Sequence, residues 1–364
     1  MMQRIKEDLI NLMLIPGLAG HEDRVRRALC KRLDELGIAN TTDRLGNLCA
    51  HFPGDGPAIM LFTHMDQLGF IVRKIEADGT IRLERLGGVP ERALAAQDVL
   101  ICVGEGKDVP AIIANKSHHA TPISEKYQVV PYSEVCVDGG FTTAADVESA
   151  GIKIGTPVVY APQAKELSNN RVVGTSVDDR AGCAVLLEMA RRLSARDSGP
   201  PVNLAFTVLE EFNLRGAQTL AQQLLPDIAI QVDLMLATDT PDMHTRGDMV
   251  LGAGPGMSLY SFHGRGTLNG VIPHPAMVSL FETTAKAKNI PLQRSAQTGV
   301  LTDLSYVQLV GKGVACIDMG FPMRYSHSAR EVCDVSDLVA LTELLDAAVS
   351  HIGQDFSLHR DDYT

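Results

Sequence analysis

The chain has 364 residues, 45% of them hydrophobic and 21% charged, which is typical of a globular protein with one large and one smaller domain. A net charge of −11 with no basic cluster argues against nucleic acid as a partner. The seven cysteines are scattered and no stretch reaches the roughly 18 apolar residues of a membrane span, so we expect a cytoplasmic protein.

The first predicted elements are a helix and a buried strand. Apolar residues at helical spacing predict a helix over 22–37, with Gly37 as its C-terminal cap. The run 58–63 is short and continuously apolar, as expected of a strand that is buried on both faces. Residues 67–163 are instead rich in Val, Ile, Gly and turn signals, which predicts an independent β-rich module.

Strands and helices alternate again from residue 164 onward. The predicted buried strands cover 202–208, 228–237 and 314–319. The predicted helices cover 180–193, 214–225 and 336–352. This order predicts a three-layer α/β/α domain made of residues 1–66 and 164–364, which the β-rich module of residues 67–163 interrupts.

Histidine and acidic side chains recur where these strands end. Hydrolysis of an amide needs an activated water and a stabilised oxyanion, and metal ions held by such side chains supply both. Taken singly, each position has an ordinary alternative, such as a polar strand end, a helix cap, a surface pair or a structural histidine. Their conjunction predicts a metal site. The positions are His64-Met65-Asp66, Asp178-Asp179, Glu210-Glu211, Asp233 and His327.

The adjacent carboxylates Glu210 and Glu211 follow a buried apolar run, where they repel each other unless a cation or a proton compensates. In a strand their side chains would point to opposite sides, so one would bind metal and the other would handle protons. The charges of Asp178, Glu211 and Asp233, together with one hydroxide, balance two divalent cations. The count is consistent with a dinuclear centre.

In this order, the motifs resemble those of the dinuclear-metal aminopeptidases of the glutamyl, deblocking and tetrahedral (TET) type, some of which were labelled endoglucanases. The resemblance runs nearly end to end. It includes Ile15-Pro16-Gly17, His64-Met65-Asp66, Asp178-Asp179-Arg180, Glu210-Glu211, Asp233, Thr302-Asp303 and His327-Ser328. It implies an α/β metallopeptidase domain with an inserted small β-barrel for assembly. The implied homo-oligomer is often a dodecamer whose active sites face an inner cavity.

The resemblance also implies residue roles. His64, Asp178 and Asp233 would hold one divalent ion, and Asp178, Glu211 and His327 would hold the second. The ions would be zinc, cobalt or manganese, and the substrates short peptides. Glu210 would be the general base that takes a proton from the water between the ions. Asp66 would lie behind His64, and the peptide bond after Asp178 would be cis.

Some positions depart from the family pattern and bear on the substrate pocket and on assembly. They are Gln67, Thr175, Phe212-Asn213 and Val300-Leu301. One alternative function is another dinuclear hydrolase, an N-acyl deacylase or a carboxypeptidase, in which Arg215 or Arg324 would bind a substrate carboxylate. A second alternative is a non-catalytic assembly protein that has lost its chemistry.

Overall fold

The computed structural model, which describes residues 1–264 and 269–363, places a large mixed sheet between two layers of helices. The helices are α1 (Met2–Met13), α2 (Asp23–Glu35), α3 (Ala144–Ser149), α4 (Val177–Ser194), α5 (Gly216–Leu224), α6 (Pro275–Lys288), α7 (Leu304–Val307) and α8 (Val335–Ser350). The strands up to residue 160 are β1 (Asn40–Thr42), β2 (Leu48–Phe52), β3 (Ile59–His64), β4 (Gly69–Ile75), β5 (Ile81–Leu86), β6 (Asp98–Ile101), β7 (Val109–Ile113), β8 (Cys136–Asp138) and β9 (Pro157–Tyr160). The later strands are β10 (Ala164–Glu166), β11 (Arg171–Gly174), β12 (Val202–Thr207), β13 (Ile228–Leu236), β14 (Gly256–Phe262), β15 (Gly270–Val271), β16 (Gln293–Thr298), β17 (Ala315–Arg324) and β18 (Glu331–Asp334).

Four parallel strands form the centre of the large sheet. The described residues give a 12-stranded sheet in the order β1-β2-β12-β3-β13-β17-β18-β11-β10, with β14, β15 and β16 attached beside β17. Strands β12, β3, β13 and β17 are parallel to one another. Their sequences are nearly continuous apolar runs because both faces of the sheet are covered. Their carboxyl ends therefore meet at one edge of the sheet.

Alternate residues of these strands pack against opposite helical layers. In β3, Ile59 and Leu61 join the core formed with α1, α2, α4, α6 and α8. Met60 and Phe62 join the core formed with α5 and α7 on the other face. This alternation follows from the two-residue period of a strand. The predicted three-layer α/β/α architecture is confirmed.

The β-rich span contains a closed six-stranded barrel in the order β4-β5-β8-β7-β6-β9, in which β9 pairs with β4. Its core is made of apolar side chains such as Phe70, Val99 and Val137. Closure leaves the barrel without free sheet edges. Its strands begin at Gly69 and end at Tyr160, inside the span 67–163. No helix in the described ranges is long and apolar enough to cross a membrane.

Candidate metal centre

Side chains from the five sequence motifs lie together at the carboxyl edge of the parallel strands. Strand β3 ends at His64, β13 carries Asp233, and the Glu210-Glu211 pair follows β12. A cavity of about 650 Å³ lies over this edge. Its walls include the side chains His64, Asp178, Glu210, Glu211, Asp233 and His327.

Two groups of three donor atoms share one carboxylate. The atoms of His64, Asp178 and Asp233 lie within 4.8 Å of one another, and so do those of Asp178, Glu211 and His327. His64 Nε2 lies 3.0 Å from Asp178 Oδ1, whereas His327 Nε2 lies 3.5 Å from Asp178 Oδ2. The two oxygens of Asp178 therefore face different groups. This is the arrangement that a carboxylate shared by two cations requires.

The donor set fits divalent cations by its chemistry. Imidazole and carboxylate are the ligands that zinc, cobalt and manganese accept. Among the described residues, no Lys or Arg forms an ion pair with Asp178, Glu210, Glu211 or Asp233. Burial raises the pKa of Glu211 to about 7, and it does the same for Asp233. A bound cation would offset this cost of burying the carboxylates.

Asp178 and Asp179 lie at the start of α4 with non-helical backbone angles, and the peptide bond between them is cis, as predicted. Asp179 faces away from the two donor groups and accepts hydrogen bonds from the Thr63 hydroxyl and, at 3.0 Å, from the Gly182 N–H. A Cβ atom at Gly182 would overlap both Asp179 and Thr63. The glycine therefore lets the helix approach the end of β3 closely enough to aim Asp178 at the cavity.

Asp66 contacts the two glutamates of the centre as well as His64. Its Oδ1 lies 3.5 Å from His64 Nδ1. Its two oxygens also accept hydrogen bonds from the backbone N–H groups of Glu210 and Glu211, each at 3.0 Å. Asp66 therefore fixes the turn that carries both glutamates.

The prediction that Glu210 and Glu211 alternate as strand residues is wrong. Strand β12 ends at Thr207, and Leu209 has a φ of 60°, so the chain has already turned before the two glutamates. Their side chains nevertheless approach different histidines. Glu210 Oε2 lies 4.0 Å from His64 Nε2, and Glu211 Oε1 lies 3.9 Å from His327 Nε2.

Glu331 is a buried residue of the site that the sequence motifs did not indicate. Its carboxylate accepts the backbone N–H of Asp178 at 3.1 Å and that of His327 at 2.7 Å. It therefore ties together two segments that carry metal donors. The available signal was a glutamate in the short strand β18, all four residues of which are buried.

The barrel also contributes to the cavity, although its span contains no predicted ligand. The carbonyl oxygen of Gly88 lies 3.0 Å from His327 Nδ1. This contact leaves Nε2 of the ring facing Asp178 and Glu211. Arg85 of β5 and Gly87 also line the cavity.

The two arginines considered as binders of a substrate carboxylate have other partners. Arg324 donates two hydrogen bonds to Asp239, at 2.7 and 2.6 Å, and the Asp239 carboxylate compensates its charge. Arg215 lies over the ring of Phe212, 5.8 Å from its centroid, and does not line the cavity. Neither arrangement favours a carboxypeptidase.

A family model, curated relatives and solved structures all relate this chain to the same family and fold. A model of the M42 glutamyl aminopeptidase family matches residues 46–344. SgcX of Escherichia coli (strain K12) is 34% identical over 99% of this chain and 97% of its own length. A lysyl aminopeptidase of Pyrococcus furiosus is 29% identical over 93% of this chain and 94% of its own.

Solved structures match over nearly the whole chain. Aminopeptidase APDkam598 from the archaeon Desulfurococcus kamchatkensis is 30% identical with a TM-score of 0.90, covering 98% of this chain and 97% of that one. The TET1 peptidase of Pyrococcus horikoshii, described as assembling into a tetrahedron or a large octahedral shell, is 25% identical with a TM-score of 0.85. That match covers 95% of this chain and 99% of TET1.

Proposed function

Because the chain belongs to the M42 glutamyl aminopeptidase family, we propose that it is a metal-dependent aminopeptidase that removes the N-terminal residue from short peptides. The observation that carries this proposal is the position of Asp178. Its two carboxylate oxygens face two separate groups of donor atoms at the base of one cavity.

In the proposed centre, His64, Asp178 and Asp233 hold one divalent ion, and Asp178, Glu211 and His327 hold the other. Zinc, cobalt and manganese all suit this donor set. When bound, the ions polarise the scissile carbonyl and lower the pKa of a water. Asp66, Glu331 and Gly88, whose contacts are described above, hold the donor segments in place.

Glu210 is the proposed general base. It lines the cavity without belonging to either donor group. Burial raises the pKa of Glu210 well above its ordinary value; His64 lowers it, whereas Glu211 and Asp233 raise it further. Two neighbouring cations would lower this pKa and keep Glu210 ionised near neutral pH. Glu210 then takes a proton from the attacking water and passes it to the departing amine.

A substrate panel tests the proposed function against its alternatives. Peptides with a free N-terminus should be cleaved with a kcat/KM at least about 100-fold above that of their N-acetylated counterparts, because the site must recognise the amine. The measurement is product release by chromatography with zinc, cobalt or manganese added in turn. Faster cleavage of the N-acyl bond, or release of C-terminal residues, would instead support a deacylase or a carboxypeptidase. Absence of all turnover would support a non-catalytic assembly protein.

We propose that the barrel span, residues 67–163, is an assembly domain. The segment between β7 and β8 exposes apolar side chains, among them Ile123 at 87% and Tyr127 at 88%. Apolar groups clustered on a surface mark contacts with another chain. The assembly described for the TET1 peptidase supports a homo-oligomer here, with a dodecamer as its proposed form.

Light scattering after size-exclusion chromatography should therefore find the protein in a large oligomer at micromolar concentration. The double substitution Ile123→Asp, Tyr127→Asp should shift it to smaller species, because charge would be buried in the contact. The matched control is Leu309→Asp in the α/β domain, where the side chain is 74% exposed; it should leave the size unchanged. A strictly monomeric wild-type protein would overturn the proposal.

A further inference from the structure

A second, smaller cavity adjoins the metal centre. It has a volume of about 20 Å³ and shares Asp233, Leu234 and Val300 with the walls of the large cavity. Its inner wall contains Asp318, after which we name it the Asp318 cavity, and Ser261. It therefore lies directly beside one of the proposed metal ligands.

The inner wall of the Asp318 cavity has polar atoms without partners. Asp318 is 2% exposed, and its Oδ1 accepts a hydrogen bond from the Thr302 hydroxyl at 2.8 Å. Its Oδ2 and the buried Ser261 Oγ have no hydrogen-bond partner among residues 1–264 and 269–363. Within the same ranges, Asp318 has no Lys or Arg partner. Native proteins leave few buried polar atoms in this state, so two in one cavity indicate that a water or a polar ligand group binds there.

The depth of Asp318 matches one type of side chain. Asp233 pairs with Gly320 and Gln231 pairs with Asp318 across the parallel strands. Asp318 therefore lies two residues, or about 7 Å, below the level of Asp233 and on the same face of the sheet. An extended lysine side chain spans roughly 6 Å from Cα to Nζ.

The walls of the cavity suit a side chain that is apolar along its length and charged at its tip. Leu234 and Val300 stand at the junction with the large cavity, where the methylene groups of lysine would lie. The volume suits one ammonium group, whose three N–H donors can reach a carboxylate and a hydroxyl. The ionised form of Asp318 would repel a glutamate there, and a leucine would leave both polar atoms unpaired.

We propose that the Asp318 cavity binds the tip of the substrate's N-terminal side chain and selects lysine, whose ammonium group pairs with Asp318 Oδ2 and Ser261 Oγ. This inference rests on the proposed aminopeptidase function, since it places the N-terminal residue beside the metal centre. It assigns Asp318 and Ser261 a role in specificity and none in the hydrolytic step.

Lys-Ala and norleucine-Ala dipeptides form a matched pair of substrates, because norleucine has the same stem without the nitrogen. The wild-type kcat/KM should favour Lys-Ala by at least about 10-fold, since norleucine leaves two buried polar atoms unpaired. Asp318→Asn should reduce that ratio by at least about 10-fold. Asp108→Asn, an acid-to-amide change at the Arg24 ion pair outside both cavities, should keep the wild-type ratio.

Binding provides a readout that does not depend on turnover. Calorimetry with metal-loaded Glu210→Gln protein should find a lower Kd for lysinamide than for norleucinamide. Adding Ser261→Ala to this variant should reduce the ratio of the two Kd values. A wild-type enzyme that cleaves norleucine-Ala as fast as Lys-Ala would overturn the inference, and would indicate a cavity that holds only water. Such a result leaves the aminopeptidase function intact. If no aminoacyl peptide is cleaved with any metal, both proposals fail.

Discussion

Replacing Glu210 with glutamine is expected to reduce kcat by at least about 100-fold, while the metal content stays at the wild-type level. Glu210 lines the cavity but belongs to neither donor group, so its loss removes a proton acceptor and no ligand. Its backbone N–H is held by Asp66, and the amide side chain has nearly the same shape. Steady-state kinetics on a free-amine peptide, with metal analysis of the same sample, measure both quantities.

Glu211→Gln is the matched comparison, since the two residues are adjacent and Glu211 belongs to a donor group. This variant should lose bound metal and activity together. The contrast separates a proton-transfer role from a ligand role. Near-wild-type turnover in the Glu210 variant would contradict the assignment of the base.

The second large effect is expected for Asp178→Asn. An amide offers one neutral oxygen where two anionic oxygens face the two donor groups, so it cannot serve two cations. We expect metal affinity to fall by more than about 100-fold, beyond the 10–100-fold typical of residues behind the ligands. Calorimetric metal titration of the purified protein measures the change.

Glu331→Gln provides a graded control for this experiment. Glu331 touches the backbone of Asp178 and His327 and is not itself in a donor group. Its loss should weaken metal binding by about 10–100-fold, less than the loss of Asp178. An Asp178→Asn protein that binds two ions as tightly as the wild type would contradict the shared-ligand account.

The layers of the fold and its family could be predicted because their signals are local. The apolar runs that became β3, β12 and β13 are continuous, since strands covered on both faces tolerate little polarity. The acidic and histidine residues that interrupt or follow these runs are conspicuous for the same reason. The change of composition after Gly69 likewise marked the barrel, whose strands are short and bounded by turns.

Other features depend on contacts between distant segments and had no local signal. Glu331 meets Asp178, 153 positions away, and Gly88 meets His327, 239 positions away. The turn at Leu209 depends on a left-handed backbone conformation at a residue type that rarely adopts it. The backbone N–H of Leu209 donates a hydrogen bond to the Glu22 carboxylate at 3.2 Å, and Glu22 lies 187 positions earlier in the sequence. Such arrangements follow from the assembled structure alone.

Anomalous diffraction from crystals of the metal-loaded protein would show directly whether two divalent ions share Asp178. We expect two ions about 3.5–4 Å apart, with one oxygen of Asp178 on each. His64 and Asp233 should complete one site, and Glu211 and His327 the other. A metal-loaded structure in which Asp178 contacts neither ion would contradict this expectation.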